Sequence, residues 1–445
     1  METLLRYRSL VREAEALRSG ADDPVAAALR TCDRIDAVDA RVRAFVPEAA
    51  RRTRLAEAAR ERVAAGPREA GDRPPLYGIP VGIKDIVHAD GLPTRAGSAL
   101  PPEVLGGAQA TVVDRLLAAG ALIAGKTVTA EFAVTAPGPT RNPHNPAHTP
   151  GGSSSGSAAA VAAGMVPLAI GTQTVGSMIR PAAYCGVVGF KPTYGRIPAD
   201  GVIPNAVSFD TLGCYAGDVA GVTLAASVLC DAWQGAGERT PEAGRPVLGI
   251  PVGPYLERAD AEALRAFKEQ LELLRAAGYA VCEVPVMGDF ERIAEQLFTM
   301  NRYEVARAHT EWFGRFGDRY RDETAAAIRQ GHTIGDADYE AARIRRAAFR
   351  DRLAGEAAAA GIDLWTAPAA TGPAPADLTH TGKSVMCLPW SNAGLPSLSL
   401  PAGRAANGLP LGLQVVGAQG ADEQLLQAAA GLESALAKGD TRAHR

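Results

Sequence analysis

The chain has 445 residues and a formal net charge of -3, with 47% hydrophobic and 21% charged residues. That is apolar material for one large domain or two to three ordinary ones, and the balanced charge leaves no electrostatic footprint for nucleic acid or anionic lipid. The N-terminus lacks a basic-then-apolar leader, and the longest uncharged apolar run, residues 158–170, is interrupted by Gly164 and Pro167. It falls short of the ~20 residues a spanning helix needs. The six cysteines are scattered, without a C-x-x-C pair. A soluble, cytoplasmic protein with reduced cysteines, no cofactor and no metal is expected.

In chain order, Asp23 and Pro24 open a helix, a side-chain acceptor at the cap followed by a residue that needs no N–H donor. Val25, Ala28, Leu29, Cys32, Ile35 and Val38 then recur at three- and four-residue steps as one apolar stripe. Residues 1–70 read as a helical entry packed on the main body, residues 71–440. From 76 to 87 the sequence LYGIPVGIKDIV alternates, which predicts a strand. Ile79, Val81 and Ile83 point one way, and Gly82, Lys84 and Ile86 the other. An ammonium at Lys84 is expensive in such a place, so Lys84 either reaches past the strand end to solvent, pairs with Asp85, or has a chemical task.

A helix over 111–119 and a strand over 121–124 follow, and together they spell G-x-x-x-x-G-K-T from Gly120 to Thr127. In a phosphate-binding loop the strand precedes the first glycine and the x residues form the cradle. Here the x residues are themselves the strand, so nucleotide binding is the disfavoured reading. Gly152–Gly156 likewise satisfies G-x-S-x-G, but residues 143–150 hold three prolines and cannot supply the strand that feeds a hydrolase elbow. That elbow would also need a histidine, for which His380 is the one later candidate in a pocket-like stretch.

Residues 151–181, GGSSSGSAAAVAAGMVPLAIGTQTVGSMIRP, carry two glycine-serine turns flanking small and apolar residues. Residues 158–163 form a helix able to lie against a neighbouring backbone, and 166–170 a short buried strand. Such turns present hydroxyls and backbone N–H groups to a ligand. Further strands are expected over 187–190, 246–251, 280–285, 364–368, 397–401 and 413–416, with helices over 260–277 and 423–436. Residues 288–360 read as a helical insertion, a lid or a subunit contact. Strands alternating with helices define an α/β layer architecture.

Lys84 and the two turns together resemble the amidase signature family. The matching segments are Gly78-Ile79-Pro80-Val81-Gly82-Ile83-Lys84-Asp85, Gly151-Gly152-Ser153-Ser154-Ser155-Gly156-Ser157 and Gly171-Thr172-Gln173-Thr174-Val175-Gly176-Ser177. Ser153 and Ser177 stand 24 residues apart, as the family's catalytic serines do. The resemblance implies one large α/β domain with a mixed central sheet surrounded by helices. It also implies a triad in which Ser177 is the nucleophile, Ser153 (in a cis peptide) relays its proton, and Lys84 is the base. The N–H groups of Thr174, Val175, Gly176 and Ser177 would form the oxyanion hole. A serine hydroxyl needs such a base. Lysine can serve only when neutral, which at its ordinary pKa is roughly one molecule in a thousand near pH 7.5. Burial lowers that pKa.

The commonest family pattern for the second turn is G-T-D-T-G-G-S-I-R. Here Gln173 stands for the acid, Val175 for a glycine, and the arginine lies one place later, at Arg180. A β-branched Val175 would be costly if that position requires positive φ. The arrangement is similar to a malonamidase-like branch, which implies that Arg180 clamps an anionic group on a small amide; pairing with a structural acid is the competing reading. The function implied is hydrolysis of a small carboxamide, carboxylate-bearing where Arg180 is such a clamp, through a serine acyl-enzyme that releases ammonia or an amine. An amidotransferase subunit serving aminoacyl-tRNA, or an amide-forming acyl transferase, is the alternative. The expected partner is the small-molecule amide, without nucleic acid or membrane, and the expected assembly is at most a homodimer.

Overall fold

A computed structural model describes residues 3–67, 69–235 and 244–439. Near the N-terminus, α1 (Leu10–Ser19), α2 (Pro24–Val42) and α3 (Arg51–Ala65) precede the sheet. Asp23 caps α2 by accepting from the Ala26 N–H at 2.8 Å, with Pro24 at the first helical position.

The next elements are β1 (Pro80–Lys84), α4 (Thr111–Ala118), β2 (Leu122–Thr127), α5 (Ser155–Ala162), β3 (Leu168–Gln173), α6 (Ile179–Cys185), β4 (Val188–Lys191), β5 (Thr211–Ala216) and α7 (Val219–Leu229). After them come β6 (Leu248–Val252), α8 (Ala261–Ala276) and β7 (Val281–Pro285). A helical run follows, of α9 (Phe290–Ala308), α10 (Thr310–Phe316), α11 (Asp322–His332) and α12 (Asp336–Ala359). The chain returns through β8 (Leu364–Pro368), α13 (Leu388–Ala393), β9 (Ser397–Arg404), β10 (Pro410–Val416) and α14 (Asp422–Gly439).

Among the described residues the ten strands form one sheet in the order β2-β1-β3-β5-β4-β9-β10-β8-β6-β7. Pairing is parallel among β2, β1 and β3, antiparallel from β3 through β5, β4, β9 and β10 to β8, and parallel again from β8 through β6 to β7. This is the mixed, helix-wrapped sheet expected. One face packs against α1, α4, α7, α8 and α14. The other is covered by α2, α3 and α5 over the β2 half, and by α9, α12 and α13 over the β8 half. Strand period sorts the residues: Leu168 and Ile170 join the first cluster, and Ala169 between them the second.

β1 is shorter than the alternation over 76–87 predicts. The Ile79 N–H turns back to Leu76 at 3.0 Å, and the N–H groups of Ile86 and Val87 both return to the Lys84 carbonyl, at 2.8 and 3.0 Å. Lys84 is therefore the last residue of the strand, and the turn carries Ile86 into the same apolar cluster as Val81 and Ile83. α5 is buried along its whole length. Its start lies against backbone: a Cβ on Gly156 would collide with the Ala44 carbonyl and the Val128 N–H, so only glycine fits. β5, α6, α7 and α13 are absent from the sequence reading. β5, TLGCYA, is buried at every position and shows no alternation.

Candidate active site

Three lysines, Lys84, Lys126 and Lys191, are buried. Lys191 donates to the Pro192 carbonyl at 2.9 Å. Lys126, the lysine of the phosphate-loop pattern, lies within β2 and donates to the Val87 carbonyl at 2.6 Å and the Thr94 hydroxyl at 2.8 Å, with Asp85 at 3.3 Å. This removes both the nucleotide reading and the Lys84–Asp85 pair, because Asp85 is engaged by Lys126. Lys84 alone meets a serine: its Nζ donates to Ser153 Oγ at 2.8 Å and to Thr172 Oγ1 at 2.7 Å. Burial brings its pKa down to about 7, against the opposing pull of Asp210.

Ser153 sits in the turn ahead of α5, and the Gly152–Ser153 peptide is cis. The next residue straps this turn to the sheet. Ser154 Oγ donates to the Thr172 carbonyl at 3.0 Å and accepts from the Thr172 N–H at 3.1 Å, while the Ser154 N–H reaches the Ser177 carbonyl at 3.4 Å. The Ser177 carbonyl also accepts from the Tyr215 hydroxyl at 3.1 Å. Ser177 is thus fixed by its backbone beside the Ser153 turn, and its hydroxyl makes no hydrogen bond among the described residues. It opens onto a cavity of about 100 Å³ lined by Thr174, Val175, Gly176, Arg180, Asn301 and Arg302, among others. Residues 151–154 follow no strand, and His380 is tied to Asp377 at 3.3 Å in the loop that carries Gly382, so the hydrolase elbow is absent.

The loop between β3 and α6 is braced from within. Gln173 Oε1 accepts from the N–H groups of Met178 and Ile179 at 2.8 and 3.0 Å, and its Nε2 donates to Ser391 Oγ at 2.9 Å. Ser391 Oγ in turn donates to the Val175 carbonyl at 2.7 Å. An amide can accept and donate at once, which a carboxylate cannot. Val175 has a negative φ, so its branched side chain costs no backbone strain, and it packs on the cluster around Tyr255 and Trp390. The N–H groups of Val175, Gly176 and Ser177 donate to no acceptor among the described residues, which leaves them available at the cavity.

Arg180 meets neither expectation cleanly. It is 5% exposed, and its guanidinium donates to the carbonyls of Gly382 (2.9 Å) and Gly152 and to Thr381 Oγ1 (3.1 Å). Its partners are carbonyls and a hydroxyl instead of a structural acid.

Asp210 escapes the sequence reading. It accepts from Thr174 Oγ1 at 2.6 Å and from the N–H groups of Asn205 and Ala206 at 2.7 and 3.0 Å. Burial still pushes its pKa to about 6. Only the β3–β5 pairing, which sets Gln173 opposite Thr211, brings it near Lys84. A larger cleft of about 590 Å³ lies between α2 and the turn after β1, but its acids are engaged: Asp39 accepts from the Ala44 and Phe45 N–H groups, and Asp85 is paired with Lys126.

A mixed sheet wrapped by helices, with a buried lysine bonded to one glycine-serine turn and a second such turn opening onto a small cavity, defines the class, an α/β fold with a lysine–serine cluster at its centre. Residues 26–426 match the family model Amidase, and the chain belongs to the amidase signature family. It is similar to the A subunit of the glutamyl-tRNA(Gln) amidotransferase of Synechococcus sp. (strain WH7803), 33% identical over 90% of this chain and 92% of the relative. The corresponding subunit of Thermus thermophilus is 34% identical over 83% and 87%. Among solved structures, an amidase superposes with a TM-score of 0.85 at 32% identity, covering 96% of this chain and all of the other. The peptide amidase from Stenotrophomonas maltophilia gives 0.79 at 27%, covering 96% and 97%. No described helix is long and apolar enough to cross a membrane.

Proposed function

We propose that this chain is an amidase that cleaves the C–N bond of a small, carboxylate-bearing carboxamide through an acyl-enzyme on Ser177. The observation that carries the reading is the Lys84 Nζ, buried with no carboxylate in ion-pair contact among the described residues and 2.8 Å from Ser153 Oγ. With its pKa near 7, about half of Lys84 is neutral at that pH and able to take a proton. Ser177 Oγ attacks the amide carbonyl as its proton passes to Ser153 and the Ser153 proton to Lys84. The oxyanion forms toward the N–H groups of Val175, Gly176 and Ser177, where each donor is worth ~2.7–4 kcal/mol in comparable hydrolases. Collapse breaks the C–N bond, and the Lys84 proton returns through Ser153 to the leaving nitrogen, releasing ammonia or an amine. Water then repeats the relay on the ester, giving a carboxylic acid and free Ser177.

The relatives' names support a second reading, a subunit that delivers the ammonia to an aminoacyl-tRNA on a partner protein. Both readings share the acyl-enzyme and its hydrolysis by water, and they diverge in the fate of the ammonia. Labelling with a fluorophosphonate, followed by mass spectrometry, should place the adduct on Ser177; an adduct on Ser154 or a cysteine overturns the assignment. Ammonia release by the purified chain from malonamate, succinamate and glutamine separates the two. A free-standing amidase turns over at least one of them alone, whereas a partner-dependent subunit is silent on glutamine until its partner is added.

A further inference from the structure

Two arginines line the cavity over Ser177, and the fold uses them differently. Arg180 spends both terminal nitrogens on the carbonyls of Gly152 and Gly382 and on Thr381, which fastens the Ser153 turn to the 381–382 loop and leaves only its buried Nε without a partner among the described residues. Arg302 comes from α9, in the helical run, and gives one hydrogen bond, to Asn301 Oδ1 at 3.2 Å. Its guanidinium lies 5.6 Å from the Phe298 ring centre, and no carboxylate among the described residues is within ion-pair distance. It is half-buried, which lowers its pKa. Among the described residues no Asp or Glu lines the cavity.

The helix that carries Arg302 is held in place. Asn301 Nδ2 donates to Asn205 Oδ1 at 2.9 Å, and Asn205 Nδ2 to the Ala133 carbonyl at 2.8 Å. α11 lies so close that a Cβ on Gly331 would collide with the Arg302 carbonyl. A planar fork on a fixed helix, with most of its N–H groups unspent and no counter-charge, is suited to a carboxylate supplied by the ligand.

We propose that Arg302, and not Arg180, selects the substrate by pairing with the carboxylate of a small amide, while Arg180 is a positioning residue for the Ser153 turn. This assignment rests on the acyl-enzyme reading above. The test is protection of Ser177 from fluorophosphonate labelling by malonamate and succinamate, compared with the uncharged propionamide and butyramide. The wild type should be protected by the carboxylate-bearing amides at lower concentration than by the neutral ones. In Arg302→Met the advantage should collapse toward one, a loss of roughly 10- to 100-fold for the anions, the worth of a charged hydrogen bond. Arg302→Lys should recover part of it. Equal protection by charged and neutral amides in the wild type, or an undiminished advantage in Arg302→Met, overturns the proposal while leaving the labelled Ser177 standing. A chain in which Ser177 takes no label overturns the acyl-enzyme reading and this proposal with it.

Discussion

Replacing Lys84 by Met should make the protein more stable at pH 6 and catalytically inert. Burial moves the lysine from an ordinary 10.5 to about 7, so holding the ammonium inside the folded protein costs about 5 kcal/mol at low pH. The sign follows from proton counts. Between pH 7 and 10.5 the unfolded chain keeps the proton that the folded chain has released, so wild-type stability rises with pH across this window. Below pH 7 both states are protonated and the full penalty remains. Methionine removes the penalty but also the hydrogen bonds to Ser153 and Thr172, about 1 kcal/mol each. The variant should therefore gain about 3 kcal/mol at pH 6 and almost nothing at pH 9, where the wild-type penalty has fallen to about 2 kcal/mol. Urea denaturation of both proteins at the two pH values measures this, and the difference between them cancels every group they share. A variant less stable than wild type at pH 6, or a gap that does not narrow by pH 9, refutes a buried, proton-poor amine.

The same amine sets the pH–rate profile: kcat/KM should climb tenfold per unit below a pKa near 7 and level off above it, because only neutral Lys84 accepts a proton. Asp210→Asn removes the charge that favours protonated Lys84, so the ascending limb should move to lower pH; a move upward contradicts the assignment. Gln173→Ala frees the Met178 and Ile179 N–H groups and the Ser391 hydroxyl, and should cost about 1–3 kcal/mol in urea melts and lower turnover under conditions where the variant stays folded. Lys126→Met strands Asp85 in the core, an expected loss of about 3–5 kcal/mol, whereas titration of the wild type with magnesium ATP should give no binding heat.

The candidate triad is legible because its residues carry local signatures: a lysine inside an alternating apolar segment and serines in glycine-rich turns. The helices α2 and α8 announce themselves by period and by the capping Asp23 and Asp260, α14 by period alone, and α9 and α12 only as parts of the helical run over 288–360. β5 does not, since TLGCYA holds a single β-branched residue and a glycine, too weak a strand signal for a segment that is buried on both faces and so lacks a polar face as well. Asp210 and Arg302 are invisible for a different reason. Each is an ordinary charged residue in its own segment and acquires meaning through contacts of long sequence separation, Asp210 through the register of β3 on β5 and Arg302 through the seating of α9 over Ser177. Arg180 shows the limit of motif reading. Its place beside the pocket follows from the turn it succeeds, yet the sequence holds no sign that the carbonyls of Gly152 and Gly382 occupy it.

The strapping of the Ser153 turn to β3 through Ser154, with α5 pressed on backbone at Gly156, has an evolutionary corollary. The turns that carry the proposed catalytic serines are anchored on backbone groups that tolerate little change, while the opposing wall, from Phe298 to Arg302, consists of side chains on a separate helix. Descendants of this scaffold can trade one diet for another by repainting that wall, without touching the machinery behind it.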